Sequence, residues 1–169
     1  MRITVIGAGP GGYVAALRAA DLGARVTVLE PAEVGGACLN RGCIPTKTLI
    51  ASAETLERVK HAREFGIELP GEVTYNLDKI RERKDKVVAT QVKGIKALFK
   101  GRGVTLLAAK GSLLAGPLVR AALADGTTQD ILSDGIIIAT GSRPAGLAGL
   151  SPDGDSILTS DDAVLLASI

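Results

Sequence analysis

The first thirty residues consist of two apolar runs separated by a glycine-rich turn and a helix-like segment. The predicted elements are a strand over 2–6, a glycine-rich turn over 7–12, a helix over 13–22 that stops at Gly23, and a second strand over 25–29 that ends on Glu30. Short runs rich in β-branched residues favour strands, and a glycine after a run of helix formers favours a helix end. This order predicts a βαβ unit.

Two longer helices are predicted in the middle of the chain. Pro45 suits the first turn of one helix, which residues 47–62 continue. Asn76 or Asp78 can cap the second helix. Residues 79–102 hold nine lysines and arginines against two acids, which is typical of a solvated helix face. Six apolar residues at helical spacing predict a buried stripe opposite that face: Ile80, Val87, Val88, Val92, Ile95 and Phe99.

The second half of the chain changes to short β-like runs. Strands are predicted over 104–108, 118–123, 129–132 and 135–139, and the Asp125-Gly126 turn precedes the third of them. Ser160 can cap a last helix over residues 161–168.

The composition narrows the class of protein. A chain of 169 residues that is 46% hydrophobic and 22% charged, with 21 glycines, fits a globular α/β domain. Aromatic residues make up 2%, which argues against nucleic-acid modules that stack bases on aromatic side chains. No apolar segment is long enough to span a membrane, so we expect a cytoplasmic protein, with the mitochondrial matrix as the second option. One histidine and two cysteines supply too few ligands for a structural zinc site, and we expect no metal.

The turn at residues 7–12 has the spacing of a dinucleotide-binding loop. Gly7, Gly9 and Gly12 form a G-x-G-x-x-G pattern after a strand and before a helix. The first glycine permits the tight turn, the second lets the backbone approach a pyrophosphate, and the third allows close helix–strand packing. Glu30 ends the second strand, where it can accept hydrogen bonds from a ribose diol. The pattern predicts nucleotide binding, and by itself it does not decide between NAD and FAD.

The two cysteines, Cys38 and Cys43, are separated by four residues. In a regular helix their Cα atoms would lie roughly 8–9 Å apart, whereas a disulfide needs less than about 7 Å. A bond between them therefore requires an interrupted helix, which Gly42 would allow. A helix start near Cys43 and the cations Arg41 and Lys47 favour a reactive thiolate. The alternative is two unpaired cysteines packed as small hydrophobic residues.

The residues around the cysteines closely resemble the active-site segment of the pyridine-nucleotide disulfide oxidoreductases. Residues 35–47 read GGACLNRGCIPTK, and the Leu-Asn and Cys-Ile-Pro choices look more like dihydrolipoamide dehydrogenases than glutathione or mercuric reductases. Ala37 and Thr46 stand where the family usually has Thr and Ser. The stretch IIIATGSRP at 136–144 resembles the family's second FAD-associated motif. The resemblance covers essentially the whole chain.

This resemblance implies a three-layer, Rossmann-like FAD/NAD(P)-binding α/β fold, with a parallel sheet and a small antiparallel β-meander. Residues 1–150 would form the FAD-binding domain, and residues 151–169 a linker and the start of a helix that leads to an NAD-binding domain. The implied cofactor-binding residues are Gly7, Gly9, Pro10, Gly11, Gly12, Glu30, Gly36, Ala37, Cys38, Cys43, Lys47, Gly111, Ala139, Thr140, Gly141 and Ser142.

The same resemblance implies a chemistry. Cys38 would exchange with the dithiol substrate, Cys43 would face the flavin, and Lys47 would tune the reactive flavin nitrogen. A dihydrolipoyl thiolate would attack the Cys38 sulfur of a Cys38–Cys43 disulfide, and electrons would pass from Cys43 to FAD and on to NAD. The implied partner is a lipoyl-carrier protein or a small dithiol, and the implied assembly of the full-length parent is a homodimer.

Two parts of that machinery have no counterpart in the 169 residues. The family's catalytic base is a His–Glu pair, and His61 lies outside that context, so we expect it to be a surface-helix histidine. No second G-x-G-x-x-G supplies an NAD loop. We therefore expect an N-terminal, FAD-binding portion that is inactive alone. The alternative is a free-standing FAD- or nucleotide-binding module whose cysteines take no part in catalysis.

Overall fold

The computed structural model describes residues 1–166 and divides them into two compact units. The first unit joins residues 1–40 to residues 90–143, and the other described residues, 41–89 and 144–166, form the second. One long helix, over residues 77–101, contributes its first half to the second unit and its second half to the first. The domain boundary predicted at residue 150 stays a prediction.

The elements follow one another in the order of a βαβ unit, a pair of helices, a long helix and a series of strands. They are β1 (Arg2–Ile6), α1 (Pro10–Asp21), β2 (Arg25–Leu29), α2 (Gly36–Asn40), α3 (Cys43–Lys60), a 3-10 turn (Ala62–Phe65), α4 (Leu77–Gly101), β3 (Thr105–Leu107), β4 (Ala109–Leu113), β5 (Leu118–Leu123), β6 (Thr128–Leu132), β7 (Gly135–Ile138) and α5 (Ser160–Ala163).

A four-stranded parallel sheet forms the centre of the first unit. Its strand order is β3-β2-β1-β7, and every neighbouring pair is parallel. The two middle strands are buried, with Val5 and Val28 completely inaccessible to solvent. Parallel sheets are normally covered on both faces, and α1 covers part of this one through contacts with β1, β2 and β7. Because parallel strands expose their carboxyl ends at one edge, Ile6 and Leu29 both lead into loops at that edge.

A three-stranded antiparallel meander, β4-β5-β6, packs against the parallel sheet. Ile6 and Leu29 of the parallel sheet form one buried cluster with Ala109, Val119 and Ala121 of the meander. Small and β-branched residues at these positions let the two sheets approach closely. Helix, parallel sheet and meander make three layers, so the predicted fold class is confirmed.

The second unit is held together by polar contacts between its helices. The guanidinium of Arg83 on α4 donates to the carbonyl of Thr48 on α3 at 3.1 Å. The ammonium of Lys84, 4% exposed, donates to the carbonyl of Val164 at 3.2 Å. Thr159 and Asp162 form a reciprocal capping box at the start of α5.

Most predicted elements are present with shifted ends. The apolar stripe of α4 is confirmed, because Ile95 and Phe99 are buried and the other four residues are half-buried. Asn76 accepts the N–H of Lys79 at 3.0 Å and caps α4 as predicted. Helix α1 begins at Pro10, three residues earlier than expected, and α3 begins at Cys43 instead of Pro45.

Some structural details differ from the predictions. The strand expected over 104–108 is β3, and the strand β4 that follows it in the other sheet was not predicted; β4 contains Lys110 and Gly111 and lacks an apolar alternation. The bounds of the short helix α2 were not predicted. Thr159, and not Ser160, caps α5; the helix expected over 161–168 ends at Ala163, and its last two predicted residues lie outside the described range. Lys84 is buried instead of solvated.

Candidate functional site

The glycine-rich turn leaves β1 and enters α1 at the carboxyl edge of the parallel sheet. Gly7 has φ +104°, a conformation that side chains other than glycine rarely adopt. Its N–H donates to the carbonyl of Leu29 at 2.8 Å, which fixes the turn to the end of β2. A Cβ on Gly7 would lie 2.2 Å from the carbonyl oxygen of Ala139. The tight turn predicted for the first glycine is therefore present.

Gly12 packs directly against that turn. A Cβ on Gly12 would lie 1.9 Å from the carbonyl oxygen of Gly7 and 3.4 Å from the Cβ of Ala139. The absence of a side chain brings α1 into contact with the backbone of the loop and with the residue that follows β7. The close packing predicted for the third glycine is thus observed.

The amino end of α1 is open. Gly9 is the N-cap, and no side chain accepts a hydrogen bond there. A Cβ on Gly9 would meet a single neighbour within 4 Å among the described residues, the Cα of Gly36 at 3.8 Å. Pro10 and Gly11, the first residues of the helix, are exposed. The first N–H groups of a helix and its dipole bind anions such as a pyrophosphate, so this end of α1 fits one.

The carboxylate of Glu30 binds two backbone groups of the surrounding loops. Its Oε2 accepts the N–H of Ala8 at 2.8 Å, and its Oε1 accepts the N–H of Ala32 at 3.0 Å. The side chain is half-buried, and no described cation pairs with it. Each carboxylate oxygen can accept more than one hydrogen bond, so both oxygens keep acceptor capacity for ribose hydroxyls. The bond to Ala8 could not be predicted from the sequence, because nothing in the local pattern marks that amide as a partner of Glu30.

The second motif lies next to the glycine turn. The N–H of Ala139 donates to the carbonyl of Ile6 at 2.8 Å and continues the pairing of β7 with β1. The Cα of Thr140 lies 3.3 Å from the position of a Cβ on Gly7. Ala139 is half-buried, and Thr140, Gly141 and Ser142 are exposed. The structure therefore brings Ala139 and Thr140 to the glycine turn; their contacts with a cofactor stay predicted.

Gly111 is placed differently. It lies on β4, and a Cβ there would lie 2.8 Å from Cγ2 of Ile6 and 3.0 Å from Cδ1 of Leu29. The missing side chain lets the meander close over the ends of β1 and β2. Packing of the two sheets explains this glycine, and its predicted flavin contact is not tested by the structure.

Cys38 lies in the first unit, in the middle of α2. The cysteine is half-buried, and Ala37 before it is exposed. The amide of Asn40 donates to the carbonyls of Val34 at 3.1 Å and Gly36 at 2.9 Å, which closes the short helix onto the loop before it. Asn40 was not predicted as a functional residue, because a single polar side chain in a short segment carries no periodic signal.

Cys43 lies in the second unit, at the first position of α3. It is exposed, and Lys47, one turn further along α3 and also exposed, shares its side of the helix. Arg41, the other cation expected to act on Cys43, is paired with Asp161 at 3.7 Å. Gly42 between the two cysteine-bearing helices has φ −128° and ψ −109°, outside helical values. The interruption that a Cys38–Cys43 disulfide would require is present; the described residues hold no disulfide, and the pairing stays a prediction.

Three other features of the described residues were predicted from the sequence: a surface histidine, too few ligands for a metal ion, and no membrane-spanning segment. His61 is exposed, and its Nδ1 lies 2.9 Å from the carbonyl oxygen of Glu57 on its own helix, as expected for a surface histidine. Over residues 1–166, no group of three or more His, Cys, Asp or Glu side chains is arranged to hold a metal ion. In the same part of the chain, none of the helices is both long and apolar enough to cross a membrane.

Comparison with known proteins identifies the family. The family model for pyridine nucleotide-disulphide oxidoreductases matches residues 1–168. The chain belongs to this family. The resemblance found in the cysteine segment and the glycine turn is thereby confirmed for the whole matched range.

Similar members of the family are named as dihydrolipoyl dehydrogenases. The enzyme of Chlorobaculum tepidum is 40% identical over 167 residues, which are 99% of this chain and 35% of the relative. The mitochondrial enzyme of Rattus norvegicus is 42% identical over 171 residues, 99% of this chain and 33% of the relative. The crystal structure of LpdA from Mycobacterium tuberculosis matches with a TM-score of 0.90 at 32% identity, covering 99% of this chain and 38% of that one. The chain thus spans about a third of the length of these family members.

Proposed function

We propose that the chain is the FAD-binding, cysteine-bearing part of a disulfide oxidoreductase of the dihydrolipoyl dehydrogenase type. The whole protein would oxidise a dihydrolipoyl dithiol and reduce NAD⁺. One observation carries the proposal: in one unit, the backbone of the glycine turn contacts both the carboxylate of the ribose-type acid Glu30 and the start of the helix of Cys38. In this proposal residues 1–150 form the FAD-binding domain, and residues 151–169 the linker that follows.

The residues of the first unit fit a dinucleotide. The uncapped start of α1, from Gly9 to Gly12, offers N–H groups and the positive end of a dipole to a pyrophosphate. Glu30 offers carboxylate oxygens to the adenosine ribose. Ala139 and Thr140 border the same turn. Bound FAD would supply a two-electron acceptor for the cysteines, which the side chains of the protein cannot supply themselves.

The chemistry of the chain's own residues is thiol–disulfide exchange. In a Cys38–Cys43 disulfide, a substrate thiolate attacks Sγ of Cys38, the disulfide bond breaks, and Cys43 leaves as a thiolate. The second substrate thiol then attacks the mixed disulfide, which releases Cys38 and the oxidised substrate. Lys47, one turn from Cys43 on α3, would place its positive charge beside a bound flavin and tune the reactive flavin nitrogen.

The remaining expectations belong to the same proposal. The name dihydrolipoyl dehydrogenase of the relatives supports a lipoyl-carrier protein or a small dithiol as the partner. We propose a homodimer as the assembly of the whole protein. A paired redox dithiol suits a reducing compartment, and we propose the cytoplasm as the location.

A flavin titration combined with a thiol count tests the proposal. The purified chain is mixed with FAD, unbound cofactor is removed by gel filtration, and the visible spectrum of the protein peak is recorded. Thiols are counted under denaturing conditions after mild oxidation and after reduction. We expect flavin absorbance in the protein peak, no titratable thiols after oxidation, and both thiols of the two cysteines after reduction.

The double variant Cys38→Ser, Cys43→Ser is the control. It should show no titratable thiol in either state, which assigns the thiols counted in the wild-type chain to these two residues. Bound flavin with two thiols that survive oxidation would contradict the redox part and support a nucleotide-binding module. A colourless peak with two persistent thiols would contradict both parts.

A further inference from the structure

The peptide groups of Ala8 connect the acid at the end of β2 to the segment that carries Cys38. Ala8 is completely buried. Its N–H donates to Oε2 of Glu30 at 2.8 Å, and its carbonyl accepts the N–H of Gly35 at 2.8 Å. A shift of Glu30 would therefore be transmitted through Ala8 to the residue just before α2.

A second contact ties the same two segments together. A Cβ on Gly36 would lie 2.7 Å from the Cα of Gly9, so the backbone at the start of α2 lies directly against the middle glycine of the turn. Gly36 begins the helix of Cys38, and Asn40 closes that helix by its bonds to Val34 and Gly36. The position of α2 thus depends on the position of the glycine turn.

The carboxylate of Glu30 accepts hydrogen bonds from two backbone N–H groups, at 2.8 and 3.0 Å. An ionised carboxylate forms shorter and stronger bonds to backbone N–H groups than a neutral acceptor does. Glu30 accepts two of them, from Ala8 before α1 and from Ala32 after β2. Since Ala8 is buried, removing its acceptor leaves an N–H group without a partner and without water.

We propose that Glu30 is a positioning residue for the Cys38 helix, acting through Ala8 before any nucleotide is bound. This role rests on the proposed function and extends it. Besides the contact with the ribose, Glu30 would connect the nucleotide site to the helix of the redox cysteine through the hydrogen bonds of Ala8. Occupation of the ribose position would then stiffen the segment of Cys38, since the ribose and Ala8 share one carboxylate.

The experiment compares Glu30→Gln with Glu33→Gln in the chain free of nucleotide. Glutamine keeps the size of glutamate, but it offers one carbonyl oxygen and turns an NH₂ group toward the second N–H donor. Glu33 is an exposed acid of the same loop, and its side chain forms no hydrogen bond or ion pair among the described residues. Amide hydrogen exchange and the alkylation rate of Cys38, read by peptide mass spectrometry against Cys43 in the same sample, are measured for both variants.

For Glu30→Gln we expect exchange of the Ala8 amide to accelerate about five- to tenfold, because a neutral amide oxygen accepts a hydrogen bond more weakly than a carboxylate does. Exchange over residues 35–40 and the alkylation of Cys38 should accelerate severalfold, with the far-UV spectrum unchanged. Glu33→Gln should match the wild-type chain. Should Glu30→Gln fail to fold, Glu30→Asp keeps the charge with a shorter reach and should show the same changes in smaller measure.

FAD titration of the same samples separates this inference from the proposed function. A loss of FAD affinity in Glu30→Gln with unaltered exchange and alkylation in the nucleotide-free state would overturn the positioning role and leave the ribose contact standing. Conversely, if even the wild-type chain binds no FAD while the exchange and alkylation effects appear, the proposed function fails and the positioning role holds.

Discussion

Replacing Gly12 by alanine is expected to destabilise the first unit, whereas the same change at the neighbouring Gly11 is not. A Cβ on Gly12 would lie 1.9 Å from the carbonyl oxygen of Gly7 and 2.8 Å from its carbonyl carbon. The turn must move by more than ~1 Å to restore an ordinary van der Waals distance. That turn is also bonded to Leu29 and packed against Ala139, so it cannot move alone.

The size of the effect follows from two opposing contributions. Overpacking of a well-packed site costs about 1–3 kcal/mol, and the clash with backbone places Gly12→Ala at the upper end of that range. Alanine gains about 0.5–1 kcal/mol over glycine inside a helix. A net loss of about 2 kcal/mol is expected. A Cβ on Gly11 meets only Ala139 Cβ at 3.9 Å, an ordinary contact, so Gly11→Ala should be neutral or stabilise by up to about 1 kcal/mol.

Urea denaturation followed by circular dichroism measures both variants, and native-state hydrogen exchange at Val5 and Val28 reports on the first unit by itself. For a chain of this size, the expected loss corresponds to a fall in Tm of about 4–8 °C. Equal stability of Gly12→Ala and Gly11→Ala would refute the reasoning. It would mean that the close approach of α1 to the turn is not a property of the folded protein.

Two further predictions concern the stability of the strands that carry the site. Asp134 accepts hydrogen bonds from the guanidinium and the backbone N–H of Arg2, which lower the pKa of its carboxyl from 3.8 to about 2. A carboxyl whose pKa is lowered in the folded state stabilises the fold above its unfolded pKa, and this contribution is lost as pH falls from about 4 to about 2. In Asp134→Asn the free energy of unfolding should therefore fall less steeply with pH over that range. The same pH dependence as in the wild-type chain would contradict the role given to Asp134. Leu29→Ala, at a fully buried position of the inter-sheet cluster, should lower the unfolding free energy by about 2–5 kcal/mol in urea denaturation. Leu22→Ala, at a position 70% exposed, is the control and should change it by less than about 0.5 kcal/mol.

Local sequence determined the parts of the site whose geometry is set by neighbours along the chain. The G-x-G-x-x-G pattern between a strand and a helix predicted both the turn at Gly7 and the close packing at Gly12, because each depends on the absence of a side chain at a stated spacing. A disulfide between Cys38 and Cys43 would require an interruption between them, and the backbone at Gly42 is non-helical. Periodicity likewise predicted the buried face of α4, since only one face of a helix can reach the core.

Tertiary structure alone decided features whose partners are distant in sequence. The bond of Glu30 to Ala8 spans 22 positions, and the buried ammonium of Lys84 donates a hydrogen bond to the carbonyl of Val164, 80 positions away. No local pattern records an acceptor that distant, so Lys84 looked like one more solvated cation. The division of residues 104–113 between two sheets follows from which strands lie nearby, because a short apolar run pairs equally well with either. Sequence thus specified the chemistry and the turns of this site, and the fold decided which backbone groups tie the nucleotide loop to the Cys38 helix.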